Sequence, residues 1–205
     1  MQLYYNHYSS NTRRVLLAAD HLGIAFDLVE INLASQDDRR RLGEVNPNSK
    51  LPVLIDGDFV LWESCAIMQY LADGTPGQTV WPQAREARAD VSRWMFWACQ
   101  HFAPAIGVLT WEHIWKKFVT GLDADADEVA RGESELADAA RVLDAHLATR
   151  HWLVGDAVTL ADFAVVAPLM YKDKARLPLD DYPHLLAWFG RVQALPAWRN
   201  TEHAW

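Results

Sequence analysis

NPNSKLPVL, residues 46–54, passes from a turn-forming cluster into an apolar run whose second residue is a proline. Proline has no backbone N–H and a fixed φ, so it is kept out of the interior of paired strands. Pro52 therefore either demotes this run or shapes the way the chain enters it. Downstream, LPVLI (51–55) and FVLWE (59–63) flank Asp56-Gly57-Asp58. That pattern predicts a β-hairpin, because Gly57 tolerates a positive φ. SCAIMQYLAD (64–73) follows with helical spacing.

Upstream, LYYN (3–6) reads as a short strand with Leu3 and Tyr5 on one face, followed by the polar loop HYSSN. Val15, Ala18, Ala19 and Leu22 fall at helical spacing over 12–22, and Gly23 supplies a stop. AFDLVEI (25–31) resembles a second strand, and Ser35 with Asp38 three residues later has the spacing of a capping box for a short helix carrying Arg39, Arg40 and Arg41. The predicted order is β-α-β-α-β-β-α, complete by about residue 73.

GTPGQTVWPQ (74–83) reads as a linker, and all that follows is helical in pattern. One long helix is expected from about Arg85, with Pro104 and Gly107 predicting a kink or break. Leu136, Ala140, Leu143 and Leu147 form the core stripe of another. Thr159 and Asp162 have capping-box spacing at the start of TLADFAVVAPLMY, a helix apolar enough to be buried on most sides, and PHLLAWFGRVQ (183–193) is a further helix, ended by Pro196.

Composition narrows the function. The 205 residues are 51% hydrophobic and 22% charged, which suits a globular chain with its own core, and no apolar run reaches the length of a membrane span. A net charge of -8 argues against nucleic acid as the main partner. The N-terminus lacks the pattern of a signal peptide and the two cysteines, Cys65 and Cys99, form no disulfide framework, so a cytoplasmic location is expected, with both cysteines read as helix and core residues. No two histidines stand four apart and HExxH is absent, so no metal is expected. DADADE (123–128) superficially resembles a calcium loop, but its glycine position holds Glu128 and its final ligand position Ser134, so it reads as an acid-rich helix start. Walker, GxGxxG and GxSxG motifs are missing.

A cis Leu51-Pro52 bond would give Pro52 a purpose. It would leave the amide and carbonyl of Leu51 free to pair with an extended peptide, as in strand addition. Ser64 stands at a predicted helix start, where free amides favour a carboxylate, and Glu63 beside it could take an ammonium group. Ser9, Ser10 and Asn11 lie near the positive end of the first helix and can hydrogen-bond an anion.

The order of elements and the pieces SSNTRRV, NPNSKLPVL, ES and LVGDAVTLADF together resemble the glutathione transferase superfamily, of bacterial serine type, over nearly the whole chain. The resemblance implies an α/β thioredoxin-like N-terminal domain (1–74), a linker (75–84) and an all-α helical C-terminal domain (85–205) that forms a hydrophobic substrate site. It implies that Ser9, four residues before Arg13, stabilises the thiolate of glutathione. Ser10, Asn11 and the nearby Tyr4, Tyr5 and Tyr8 are the alternatives. Lys50 would approach the glycine end, Leu51 would pair with the cysteinyl backbone, Pro52 would be the cis-proline, and Glu63 with Ser64 would hold the γ-glutamyl group. Gln36 or Asp37 stands where a histidine or glutamine often helps hold the glycine carboxylate.

The implied activity is transfer of glutathione, as co-substrate, to a small hydrophobic electrophile in detoxification. Isomerase, dehalogenase, ether-cleaving and disulfide-reductase chemistry on the same fold are alternatives, as is a non-catalytic binding protein. Trp94, Trp97 and His101 share one helical face and Trp111 and Trp115 another; they read as core or dimer contacts, or as pocket walls with His101 or Glu112 as polar handles. A homodimer is also implied, with Trp62 or the long helix contributing to it. No membrane partner is expected.

Overall fold

The computed structural model describes residues 1–203. The chain folds as two compact units, one comprising Met1–Trp81 and the C-terminal segment from Leu195 onward, the other Pro82–Ala194. The end of the chain thus belongs with the first unit, where the sequence pattern had grouped it with the helices.

In the first unit β1 (Gln2–Tyr5), α1 (Ser10–Leu22), β2 (Asp27–Glu30), α2 (Gln36–Val45), β3 (Val53–Asp56), β4 (Phe59–Trp62) and α3 (Ser64–Asp73) follow in the expected order. The sheet runs β2-β1-β3-β4, with β1 parallel to β2 and antiparallel to β3, and β3 antiparallel to β4. Asp56 opposes Phe59, so the hairpin turns on two residues, with Gly57 at φ 60°. Leu3 and Tyr5 are buried on one face of β1, while Tyr4, on the other, packs against Ile31, Leu42, Leu51 and Val53.

α1 begins with Ser9 as N-cap, its Oγ accepting from the Thr12 amide at 3.2 Å, and ends at Gly23 in the left-handed conformation. It buries Val15, Ala18 and Ala19 of the expected stripe, leaves Leu22 half-buried, and also buries Leu17, Thr12, Arg13 and Arg14. Arg13 explains the docking of the C-terminal segment. Its Nη2 donates to the Trp198 carbonyl at 3.0 Å and its guanidinium stacks 4.3 Å over the Trp198 ring, in a short helix α10 (Pro196–Asn200). At α2 only half of the expected capping box forms. Ser35 Oγ caps the Asp38 amide, but the Asp38 carboxylate accepts instead from the amide of Asn32 at 2.8 Å.

The second unit opens with α4 (Arg85–Trp97), α5 (Ala103–Thr110) and α6 (Lys116–Thr120), joined by π-helical turns at Ala98–Phe102 and Trp111–Trp115. Of the kink or break expected from Pro104 and Gly107, the break does not form, since the helical run continues through a π-helical turn into α5. The wider turn ahead of it makes room for the ring and places Pro104 at the start of α5, where its missing N–H costs little. α7 (Ala126–Leu147) buries the predicted stripe and adds Gly132, where a Cβ would stand 2.9 Å from Val108 Cγ1 and 3.1 Å from the Leu109 side chain. Asp125 caps α7, so DADADE is a helix start. Cys99 is exposed rather than part of the core, and Cys65 is half-buried. Among the described residues no helix is long and apolar enough to cross a membrane.

α8 (Leu160–Val166), extended by a 3-10 turn at Ala167–Tyr171, is buried all round and depends on one carboxylate. Asp162 Oδ2 accepts from the amide and hydroxyl of Thr159 at 2.8 and 3.1 Å. Its Oδ1 accepts from the Leu153 amide at 3.0 Å and from the Trp188 indole, in α9 (Pro183–Gln193), at 2.9 Å. Burial pushes this carboxyl up from the ordinary aspartate range, and the four donors pull against that shift. Asp162→Ala strands the Leu153, Thr159 and Trp188 donors in the core and is expected to cost on the order of 3–5 kcal/mol. Urea unfolding followed by tryptophan fluorescence reads this as a lowered midpoint, and an unmoved midpoint would refute the role.

Candidate functional site

The sheet register decides which loops meet. Tyr4 opposes Val53 and Val53 opposes Trp62, so the exit of β1, the entry of β3 and the exit of β4 lie side by side at one end of the sheet. The residues just beyond those positions are Asn6–Ser9, Lys50–Pro52 and Glu63–Ser64. The first and last of these segments open α1 and α3, which pack together, and Arg14 Nη1 on α1 donates to Ser64 Oγ at 3.4 Å and approaches Cys65 Sγ at 3.5 Å on α3. All eight predicted site residues, Ser9, Ser10, Asn11, Lys50, Leu51, Pro52, Glu63 and Ser64, therefore belong to this one end of the first unit.

The loop ahead of α1 is shaped by Asn6. Its Nδ2 donates to the Ile31 carbonyl at 2.9 Å, its Oδ1 accepts from the Tyr8 amide at 2.9 Å, and its carbonyl accepts from the Ser9 amide at 3.1 Å. Ser9 is half-buried and its oxygen is occupied as the N-cap acceptor, while its hydroxyl hydrogen has no acceptor among the described residues. Ser10 and the exposed Asn11 form the first turn of α1. The three nearby tyrosines differ in setting. Tyr4 is a core residue on the α2 side, and Tyr8 is exposed. The Tyr5 hydroxyl lies 3.3 Å from His7 Nε2, and burial, with Glu30 adding to it, pushes its pKa up.

The Leu51-Pro52 bond is cis. The Leu51 amide and carbonyl make no hydrogen bond among the described residues, so they stand as one open donor and one open acceptor. Lys50 is exposed and has no ion pair among the described residues. Its carbonyl accepts from Asn46 Nδ2 at 2.7 Å. Asn46 is buried; its Oδ1 also accepts from the amide and side chain of Asn48 at 3.0 and 3.1 Å, and its own carbonyl from the Ser49 amide at 2.8 Å. Gln36 and Asp37 are exposed in the first turn of α2, with Asp37 paired to Arg40 at 3.2 Å.

Glu63 has φ 73°, a left-handed backbone that a non-glycine residue adopts at a cost of about 1–3 kcal/mol and that is enriched at functional sites. It precedes α3 without capping it, so no side chain occupies the helix N-terminus. The Glu63 carboxylate is exposed and without an ion pair among the described residues. One end of the sheet thus offers a hydroxyl donor at one helix start, an open backbone pair in the middle, and an anion beside an uncapped helix start. That sequence of groups complements an extended molecule carrying a thiol or other soft anion, peptide bonds, and a free amino acid end.

Residues 1–73 match the model for the N-terminal domain of glutathione S-transferases, and residues 101–196 the model for their C-terminal domain. Glutathione S-transferase 3 of Zea mays is 32% identical, with the alignment covering 100% of this chain and 94% of that one. This chain belongs to the glutathione S-transferase family. Glutathione S-transferase theta-2 of Mus musculus is 32% identical over 95% of this chain and 81% of its own length. Among solved structures, the theta class enzyme of Xanthomonas axonopodis pv. citri with glutathione bound superposes with a TM-score of 0.89 at 29% identity, covering 99% of this chain and 97% of that one. Within the family frame, Glu112 is not a polar handle. It is buried, accepting from Lys116 Nζ at 2.8 Å and from the Asp125 amide at 2.7 Å, and these contacts hold its carboxyl below the ordinary range.

Sequence reasoning missed Asn6, Asn46 and the buried Arg13 and Arg14. The available signal was an asparagine directly after a strand or before a Pro-Asn turn, a position that favours side-chain-to-backbone bonding. Asn46→Ala is expected to speed amide hydrogen exchange at Asn48 and Ser49 by about tenfold or more, the loss of roughly 1–3 kcal/mol of local bonding. Unchanged exchange there would remove Asn46 from its positioning role.

Proposed function

We propose that this glutathione S-transferase binds glutathione along the end of its sheet, lowers the pKa of the bound thiol through Ser9, and adds the thiolate to a small hydrophobic electrophile. The observation that carries this is the state of Ser9: its oxygen is held by the Thr12 amide while its hydrogen is uncommitted. A hydroxyl has one donor and two acceptor sites, so it can cap α1 and donate to sulfur at once, and the N–H it accepts polarises it further. Lowering a thiol pKa from about 8.5 to about 6.5 requires about 2.7 kcal/mol of preference for the anion. A hydrogen bond to a charged acceptor supplies about 1.5–3 kcal/mol, and a helix N-terminus up to about 2. No separate base is needed.

Leu51 pairs with the cysteinyl backbone, Glu63 and Ser64 take the γ-glutamyl end, and Lys50 meets the glycine carboxylate. Aromatic residues of the helical unit, among them the exposed Trp111 and the half-buried Trp97 and Trp115, supply apolar surface for the electrophile. No metal takes part in this reading, and the enzyme works in the cytoplasm.

Titrating the bound thiol by thiolate absorbance tests the assignment. Ser9→Ala is expected to raise its pKa by about 1–2 units and slow conjugation at neutral pH about 10- to 100-fold, with affinity for glutathione little changed. Ser9→Thr keeps the hydroxyl and the cap and should behave as the parent. Glu63→Gln should instead weaken binding. A Ser9→Ala enzyme with an unshifted thiol would move the role to Asn11 or Ser10.

We also propose a homodimer, supported by the apolar surface of the first unit. Phe59, Val60 and Trp62 on the edge strand β4 and Tyr70 on α3 are 49%, 39%, 38% and 37% exposed. Exposed apolar side chains of this kind along an unpaired edge strand favour association. Light scattering after size exclusion should give twice the chain mass, and Phe59→Asp should return a monomer; a parent that elutes as a monomer contradicts the dimer.

A further inference from the structure

The helical unit carries a cavity of about 270 Å³ where the C-terminus of α7 and the loop after it meet α9. Thr149, Arg150 and His151 line it from the loop, and His184, Ala187 and Arg191 from α9. In a chain of net charge -8, two arginines and two histidines converge on one depression. Three arginines of this unit are paired with acids: Arg93 with Asp90, Arg131 with Glu128 and Glu135, Arg141 with Asp138. Arg150 and Arg191 have no acid partner among the described residues.

Both guanidiniums are aimed by the backbone. Arg150 Nη1 donates to the His146 carbonyl at 3.3 Å, one of the last open carbonyls of α7, and Arg191 Nε donates to the His151 carbonyl at 3.1 Å. Each bond uses a single nitrogen. The Nε and Nη2 of Arg150 and both terminal nitrogens of Arg191 have no acceptor among the described residues. The nearby carboxylate, Asp144, pairs with no arginine among the described residues, and its Oδ1 accepts from the amides of His184 and Leu185, both at 2.8 Å. Four guanidinium nitrogens, two imidazoles and the Thr149 hydroxyl exceed what the two oxygens of a carboxylate can accept, whereas a phosphoryl group presents three or more oxygens to the same donors.

We propose that this cavity is a binding site for a phosphate group, free or as a small phosphate monoester, held by Arg150 and Arg191 with His151 and His184. It lies wholly within the helical unit and does not depend on the glutathione reading. The test is titration of the full-length protein with inorganic phosphate at constant ionic strength, chloride being the ion replaced, while the ring resonances of His151 and His184 are followed by NMR. The expected result is a saturable shift of those two histidines, with affinity falling about tenfold in Arg150→Gln and again in Arg191→Gln. Should Arg191→Gln unfold, Arg150→Gln and the exposed His184→Gln carry the comparison. Repeating the titration with glycerol phosphate separates the sources: a gain in affinity assigns the site to a phosphate monoester, and equal affinity to the free ion. Absence of saturation, or saturation with the same affinity in the variants, overturns the proposal.

Discussion

The pairing of Tyr4 with Val53 and of Val53 with Trp62 is the constraint on which the candidate site rests. A strand register shifted by one residue sends every side chain to the other face, and the observed pairing sets Leu3 beside Leu54 on one face and Tyr4 beside Val53 on the other. Once it is set, three loops drawn from between Asn6 and Ser64 meet at the same end of the sheet, where the Leu51 amide and carbonyl stay open. The cluster of Tyr4, Ile31, Leu42, Leu51 and Val53 secures the other side of the same strands, so core packing and ligand geometry share residues.

A different economy governs the helical unit. Asp162 is a wholly buried carboxylate in a helix with no polar face, a placement that would be costly for an unpaired charge. Four donors from three segments converge on it, so one side chain starts α8, ties down the loop at Leu153 and anchors Trp188 of α9. Gly132 makes the complementary concession, giving up a side chain so that α5 and α7 can approach. Specific contacts of this kind select one packing among the many that apolar helices allow.

The chemistry proposed for Ser9 needs no group beyond those that folding already uses. Its N-cap bond holds the oxygen at the positive end of α1, and the same geometry leaves the hydroxyl hydrogen for a ligand. The strained Glu63 backbone and the uncapped start of α3 follow a similar logic, since stability withheld locally keeps donors and an anion accessible. Family membership is shown by both domain models and by relatives aligned over nearly the whole chain.

The sequence by itself determined the element order, the hairpin at Gly57, the caps at Ser35 and Thr159, and the stripe on α7, because each is a local pattern whose physics acts within a few residues. The fragments around Ser9, Pro52 and Ser64 pointed to their chemistry for the same reason. Only the tertiary structure decided that Arg13 draws Trp198 and the chain end onto the first unit, that Arg14 spends itself on Ser64, and that Asn6 and Asn46 shape the loops. It also turned the break expected at Pro104 into a continuous run of α and π turns, put Cys99 at the surface, and drew Glu112 into a structural cap. Those outcomes hinge on which distant groups satisfy a buried donor or carbonyl, and nothing in the local spacing of residues names a partner that the chain brings in from far along its length.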